Sequence, residues 1–303
     1  MQNPFSKIIL GTVQLGMPYG LGRWKNTLMP ESEAFAILDA AWEMGITTLD
    51  TSPDYGMAEA RIAKYMKAHK AKPFQIISKI KHIPVEAENV QTSFQNYFDA
   101  CPFTGLDACS SLSVLLHKEA DIYRPEILGE LDTAVQCGLI MQWGVSVYGE
   151  AFAKDAAKIE NCSLIQLPFG VLNQSFGRSG VIELLMNSGK TVMARSVFSQ
   201  GLLLRKVEVV PETSGESSDL LNEIFSYLDE QDFAITDFAI STAWNESGVA
   251  NLVLGADTVS QMLEWKLDAL GNKQISLPAQ LLTRIRQFDS NQFKPNKWVQ
   301  NAK

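Results

Sequence analysis

Three short stretches of the chain end in side chains that can hold or move a proton. TTLDTSPDYG (47 to 56) carries Asp50 and Tyr55, IISKI (76 to 80) carries Lys79, and SVLLH (113 to 117) ends on His117. Each is an apolar, strand-like run, and an ionisable group at the exit of a buried strand must be held there against the cost of desolvation. Carboxylate, phenol, ammonium and imidazole together are suited to acid–base work. If these strands are neighbours in a parallel barrel, all four groups stand on the rim at the strand C-termini, where such barrels carry their chemistry.

The rest of the chain supplies the elements for that rim. Strand-like runs recur at 7 to 11, 47 to 50, 74 to 80, 112 to 117, 141 to 147, 163 to 168, 191 to 196 and 251 to 255. Amphipathic patterns between them predict helices at 31 to 44, 58 to 70, 86 to 100, 124 to 137, 149 to 159, 180 to 188, a longer region from 218 to 245, and 258 to 270. Gly45, Gly138 and Gly189 each follow a periodic stretch and precede a strand, where a left-handed residue closes a helix. Eight βα units with right-handed crossovers close most simply into a (β/α)8 TIM barrel, with an open doubly wound sheet as the alternative. A further helix at 278 to 289 and the tail FDSNQFKPNKWVQNAK fall outside the eightfold repeat. PETSGESSD (211 to 219) reads as an exposed loop, and no linker divides the chain, so one domain spanning 1 to 303 is expected.

Composition narrows the function classes. The 303 residues are 46% apolar and 20% charged, with a formal net charge of −8, and the pI is near 5.0. This balance argues against a nucleic-acid or anionic-membrane surface, which needs clustered Lys and Arg, and favours a small-molecule partner. Cys101, Cys109, Cys137 and Cys162 form no CxxC pair, so neither a thiolate metal site nor a disulfide framework is indicated. The N-terminal apolar run is too short for a signal peptide, and no window approaches the ~18 apolar residues of a spanning helix. A cytoplasmic protein is expected.

The strand exits in order are Asp50, Lys79, His117, Ser146, Gln166, Arg195 and Gly255, all polar or glycine. With the segments GTVQLG, GITTLDTSPDYG, IISK, LLH, GVS, IQLPFGVLN, SVFSQGLLL and LGADTVSQ, the chain from residue 11 to 265 resembles the aldo-keto reductase family. That resemblance implies a (β/α)8 barrel that binds a nicotinamide dinucleotide, usually NADPH, without a GxGxxG fingerprint, and reduces aldehydes or ketones. By the same resemblance Tyr55, Lys79, Asp50 and His117 form the catalytic tetrad.

Residue chemistry agrees with that implication. Hydride delivered to a carbonyl carbon leaves an alkoxide, which needs a proton donor within reach; Tyr55 fills that role. A free phenol titrates near ~10, so a neighbouring ammonium, Lys79, is expected to make the proton available, with Asp50 holding Lys79 charged. His117 is expected to aim a neutral imidazole N–H at the carbonyl oxygen. As bland alternatives, the charged groups form a structural ion-pair cluster and Tyr55 packs on the second helix.

The resemblance further assigns Ser146 and Gln166 to the nicotinamide carboxamide, Ser196 and the segment Gly255 to Gln261 to the pyrophosphate and adenosine phosphate, and Glu264 to the adenine side. The segment also reads as a plain βα turn with Thr258 as N-cap. Several positions depart from the family pattern: Val147 stands where Asn is usual, Trp265 where another Asn is usual, and Arg195 where a Tyr commonly stacks on the nicotinamide ring. Arg195 either stacks in its place, disfavouring the cationic oxidised ring, or turns to meet an anionic or hydroxyl-rich substrate or pairs at the rim. Asp257 occupies a position where NADPH users carry Arg, Lys or Ser, so NADP(H) is the family default and NAD(H) the alternative. Tyr19, Trp24 and Tyr148 follow strands one and five and are candidates to line the pocket for a small carbonyl substrate. The other function compatible with this barrel is a cofactor-binding regulatory or redox-sensor subunit.

Overall fold

Alternation along the strands builds the barrel. In the computed structural model, which describes residues 3–84, 89–106, 111–204, 216–265 and 277–287, eight parallel strands pair in chain order and close on themselves. They are β1 (Ile8–Gly11), β2 (Thr48–Asp50), β3 (Gln75–Ile80), β4 (Ser111–Leu116), β5 (Trp143–Ser146), β6 (Cys162–Pro168), β7 (Thr191–Arg195) and β8 (Val249–Leu254). Parallel β1–β8 pairing, with Ile9 opposite Val253, completes the ring and removes every edge, which decides against an open sheet.

Each strand turns alternate residues inward. The inward set Ile9, Ile77, Leu115, Leu164 and Met193, with Val253 against it, fills the interior as a cluster of its own. The outward set, including Leu10, Leu49, Ile76, Val114, Val145, Ile165, Val192 and Leu252, packs under the helices in the main core. Two residues beyond the inward plug, the same period places Gly11, Lys79, His117, Gln166, Arg195 and Gly255 around the mouth. One alternation rule therefore produces both the dry plug and the polar rim above it.

The covering helices are α1 (Val13–Gly16), α2 (Glu31–Met44), α3 (Ala58–Ala68), α4 (Val90–Ala100), α5 (Pro125–Gln136), α6 (Glu150–Ala156), α7 (Ser175–Arg178), α8 (Val181–Asn187), α9 (Glu216–Glu230), α10 (Ile235–Trp244), α11 (Val259–Leu263) and α12 (Ala279–Gln287). Gly45, Gly138 and Gly189 have positive φ at the ends of α2, α5 and α8, as their spacing predicts. The long helix expected over 218 to 245 is two helices, α9 and α10. Asp232 adopts φ 49°, and Phe233 N–H returns to Leu228 C=O at 2.9 Å, a left-handed stop like those glycine usually supplies. Short α1 and α7 carry no amphipathic repeat, and the sequence reading lacked both. Beyond α11 the helix expected to 270, residues 86 to 88, and the tail from 288 lie outside the described residues. Among the described residues no helix is long and apolar enough to cross a membrane, and no His/Cys/Asp/Glu group could hold a metal ion.

Candidate active site

At the centre of the mouth, Lys79 and Asp50 are almost wholly buried, 1% and 4% exposed. Lys79 Nζ donates to Asp50 Oδ1 and Oδ2 at 2.9 and 2.8 Å and to the Thr51 carbonyl at 2.9 Å, and it also hydrogen bonds with the Tyr55 side chain. Gln166 Nε2 donates to Asp50 Oδ1 at 2.7 Å. The ammonium also lies 4.8 Å from the centre of the Tyr55 ring. Burial works against the charge on Lys79, but Asp50 and then Tyr55 outweigh it, and the pKa is raised.

Tyr55 differs from its sequence expectation in one respect. Burial raises its phenol above the ordinary value, Lys79 draws it down and Asp50 raises it again; the net direction is up. Lys79 acts on the phenol through both its charge and a hydrogen bond, but burial outweighs it, so the phenol is not more acidic than usual. The proton is held firmly at neutral pH, which suits a donor and disfavours a resting phenolate.

The backbone under Tyr55 is seated on α1. Met57 N–H donates to Gly16 C=O at 3.0 Å. A Cβ built on Gly16 would fall 1.9 Å from Tyr55 O, and one on Gly56, at φ +57°, would fall 2.4 Å from Gly16 O. Both positions require glycine for closeness of approach, and Gly56 also for its left-handed backbone.

His117 lines the same cavity, but its partner was not foreseen. Its Nδ1 lies 3.1 Å from Asp54 Oδ2, and Asp54 Oδ1 pairs with Lys81 at 2.8 Å. Partial burial opposes the Asp54 charge, yet Lys81 and then His117 hold its pKa below the usual carboxylate value. An ionised carboxylate only accepts, so Nδ1 carries the proton. Burial first and Lys79 second lower the His117 pKa, against the pull of Asp54. Neutral His117 therefore has Nε2 left as an acceptor, whereas the sequence reading had expected an N–H aimed at a carbonyl. Histidine NMR titration should place the His117 inflection below ~6.5 and move it lower still in Asp54→Asn, since removing a negative neighbour disfavours the imidazolium. An upward move would contradict this electrostatic account. The signal for Asp54 was its place directly before Tyr55 in the DTSPDYG run.

Ser146 and Gln166 are adjacent and buried, with Ser146 Oγ donating to Gln166 Oε1 at 3.2 Å. Gln166 is thus half committed to the charged pair and to its neighbour. One amide N–H and spare lone pairs on both residues leave capacity for an outside amide. In the turn after β7, Ser196, Ser199 and Gln200 adopt left-handed φ of 62°, 48° and 57°, conformations that cost about 1–3 kcal/mol each and cluster where loops contact ligands.

Past β8 the structure corrects one expectation, the exposure of Asp257, and bears out another, Thr258 as an N-cap. Asp257 is not an exposed carboxylate beside a phosphate site. It is 6% exposed and accepts from Arg23 N–H at 2.7 Å; burial raises its pKa, with Arg23 opposing. Gly22 lies so close that a Cβ there would fall 1.6 Å from Asp257 Oδ2. Second, α11 caps itself: Thr258 Oγ1 accepts from Gln261 N–H at 3.2 Å and Gln261 Oε1 accepts from Asp257 N–H at 2.7 Å, a reciprocal pair that satisfies two amides of this turn.

A cavity of about 860 Å³ joins these pieces, lined by Asp50, Tyr55, Lys79, His117, Ser146, Gln166, Arg195, Ser196, Gly255, Asp257 and Gln261. Tyr19 and Tyr148 line it as expected. Trp24 does not; its indole N–H donates to the Asp257 carbonyl at 2.8 Å, pinning the β1 loop. Glu264 lies in a neighbouring recess of about 300 Å³ with Trp265, which shares Phe198, Leu204, Gly255 and Gln261 with the main cavity. Among the lining residues that the sequence did not single out, two carry polar side chains whose bonding bears on the site. Glu119 Oε2 accepts from the amides of Tyr148 and Gly149 at 2.6 and 2.9 Å, and Gln14 has a buried Oε1 without a partner.

A closed parallel barrel with acid–base groups at its C-terminal rim defines a (β/α)8 enzyme. The aldo/keto reductase family model matches residues 7–288, and the chain belongs to that family. It is 28% identical over 300 residues to D-arabinose 1-dehydrogenase of Saccharomyces cerevisiae, covering 90% of this chain and 86% of that one. In fold it resembles the holo form of aldo-keto reductase AKR11C1 from Bacillus halodurans, with TM-score 0.69, 19% identity, and 93% and 91% of the two chains covered. It also resembles the thermostable aldo-keto reductase Tm1743 in complex with epalrestat, with TM-score 0.66, 20% identity, and 93% and 95% covered. The chain is thus an oxidoreductase of carbonyl chemistry in a family that uses nicotinamide cofactors. A cavity and its adjoining recess, with an orphaned acceptor at Gln14 and spare hydrogen-bonding capacity at Ser146 and Gln166, fit such a cofactor.

Proposed function

We propose that this protein reduces a small hydroxylated aldehyde or ketone with a nicotinamide cofactor, with Tyr55 as general acid. The observation that carries the reading is the buried Asp50–Lys79 pair beneath the Tyr55 ring, on the floor of a cavity roomy enough for a small molecule and a dinucleotide. The bound cofactor supplies the hydride. Tyr55 gives its phenolic proton to the oxygen of the reduced carbonyl, and buried Lys79 stabilises the charge left on the phenolate at close range. Neutral His117 accepts, through Nε2, a hydrogen bond from a hydroxyl beside the reacting carbon. That acceptor role favours a sugar-like carbonyl over a plain alkyl one.

Ser146 and Gln166 hold the nicotinamide carboxamide, while Ser196, Gly255, Gln261 and Glu264 border the rest of the dinucleotide. Because Asp257 is turned into the β1 loop, the repulsion that made NAD(H) attractive loses its basis, and NADP(H) is the favoured form. The test follows absorbance at 340 nm with NADPH, then NADH, against aldoses, hydroxyaldehydes and plain alkyl aldehydes. Faster NADPH oxidation with hydroxylated carbonyls supports the reading. Absence of turnover with every carbonyl and both cofactors would reject it.

A further inference from the structure

From the unused donors of Arg195 we infer that the substrate carries an oxyanion, a carboxylate or phosphate, within reach of its carbonyl. The inference rests on the proposed reductase reading and narrows its substrate class. Arg195 ends β7 on the inward face and lines the cavity that holds Tyr55, Lys79 and His117. Its guanidinium lies 4.1 Å from the centre of the Tyr148 ring, which covers one face and fixes the plane. Nη2 donates to the Val147 carbonyl at 3.3 Å and Nη1 to Ser196 Oγ at 3.4 Å. Both bonds are long, and a guanidinium has five N–H donors, so three are left without a partner among the described residues.

The charge is equally uncompensated. Asp50 in the same cavity is bound by Lys79 and Gln166. Of the other carboxylates lining the cavity, Glu119 is bound by the amides of Tyr148 and Gly149 and Asp257 by that of Arg23. Among the described residues no acidic group pairs with Arg195. The other groups facing it are the phenols of Tyr19 and Tyr55, and its positive charge opposes the rise that burial imposes on both. A planar fork held by an aromatic ring, with spare donors beside a proton donor, matches carboxylate or phosphate geometry. In a chain of net charge −8, a local cation at the reacting end gives an anionic substrate a specific place to lodge.

The test compares matched substrates with the cofactor-loaded enzyme: 4-oxobutanoate against butanal for a carboxylate, and glyceraldehyde 3-phosphate against glyceraldehyde for a phosphate. The parent should prefer the anionic member of at least one pair in kcat/KM, and which pair identifies the source. Arg195→Gln should reduce that preference by about 10- to 100-fold, the value of hydrogen bonds to a charged group, mainly through KM. Arg195→Lys, which keeps charge but loses the fork, should fall between, and carries the test should Arg195→Gln fail to fold. An anionic preference absent from the parent, or unchanged in the variants, overturns the proposal. So does a change confined to the ratio of reduced to oxidised cofactor affinity, which would assign the guanidinium to the nicotinamide ring. If no carbonyl is turned over at all, the reductase reading fails on its own. Calorimetric binding of 4-oxobutanoate to parent and Arg195→Gln then still reads the anion site, and equal affinities overturn it.

Discussion

Tyr55→Phe is expected to lower kcat for carbonyl reduction by about 10²-fold or more, the usual worth of a positioned proton donor, while leaving cofactor affinity near that of the parent. The hydroxyl removed hydrogen bonds with Lys79, but the ammonium keeps Asp50 and the Thr51 carbonyl, and the ring that packs against it remains. Stability should therefore hold, and a fall in rate reports chemistry. Stopped-flow measurement of a single turnover, with cofactor binding followed by fluorescence, separates the two. A variant with near-parental turnover would remove Tyr55 from the acid role and leave Tyr19 and Tyr148, the other phenols lining the cavity, to be tested.

Lys79→Met should have the largest effect on the folded state. It leaves the Asp50 carboxylate 4% exposed with only the Gln166 amide as a side-chain partner, and an uncompensated buried charge of this kind costs about 3–5 kcal/mol. Adding Asp50→Asn should recover most of that loss, because the remaining groups are neutral and can still hydrogen bond, while activity stays low. Urea midpoints for the parent, single and double variants check this, and a single variant as stable as the parent would show that the pair contributes nothing to the fold. Since the folded pKa of Lys79 is raised, its contribution is complete below the unfolded value of ~10.4 and is lost only as pH rises through the higher folded value. Titration of Lys79 itself should thus leave the stability of the parent flat across neutral pH.

The barrel was readable because its causes are local. Period-2 apolar runs and helix-ending glycines are written in consecutive residues, and the eight expected strands lie within two residues of the observed ones. The strand-exit residues were readable for the same reason, since inward orientation at Ile77 implies it at Lys79. Contacts between distant segments were not readable. Asp54 and His117 are 63 residues apart, and Gln166 and Asp50 are 116 apart. No propensity announces that an amide will turn inward to a carboxylate. Asp257 was misjudged because its exposure depends on a β1 loop 234 residues earlier. The break between α9 and α10 was hidden because it uses Asp232 in place of glycine.

The seat of Tyr55 on Gly16 has a consequence for how such an enzyme diversifies. Any side chain at position 16 would have to displace backbone rather than a flexible neighbour, since the nearest atoms are Tyr55 O and Ala58 N and Cα. Misplacement of a reacting group by about 1 Å can cost 10²-fold in rate, so that route to new specificity is closed one mutation at a time. Inherited variation in what the barrel accepts must accumulate in the walls instead, at Tyr19, Tyr148 and Arg195, while Tyr55 stays where two glycines hold it.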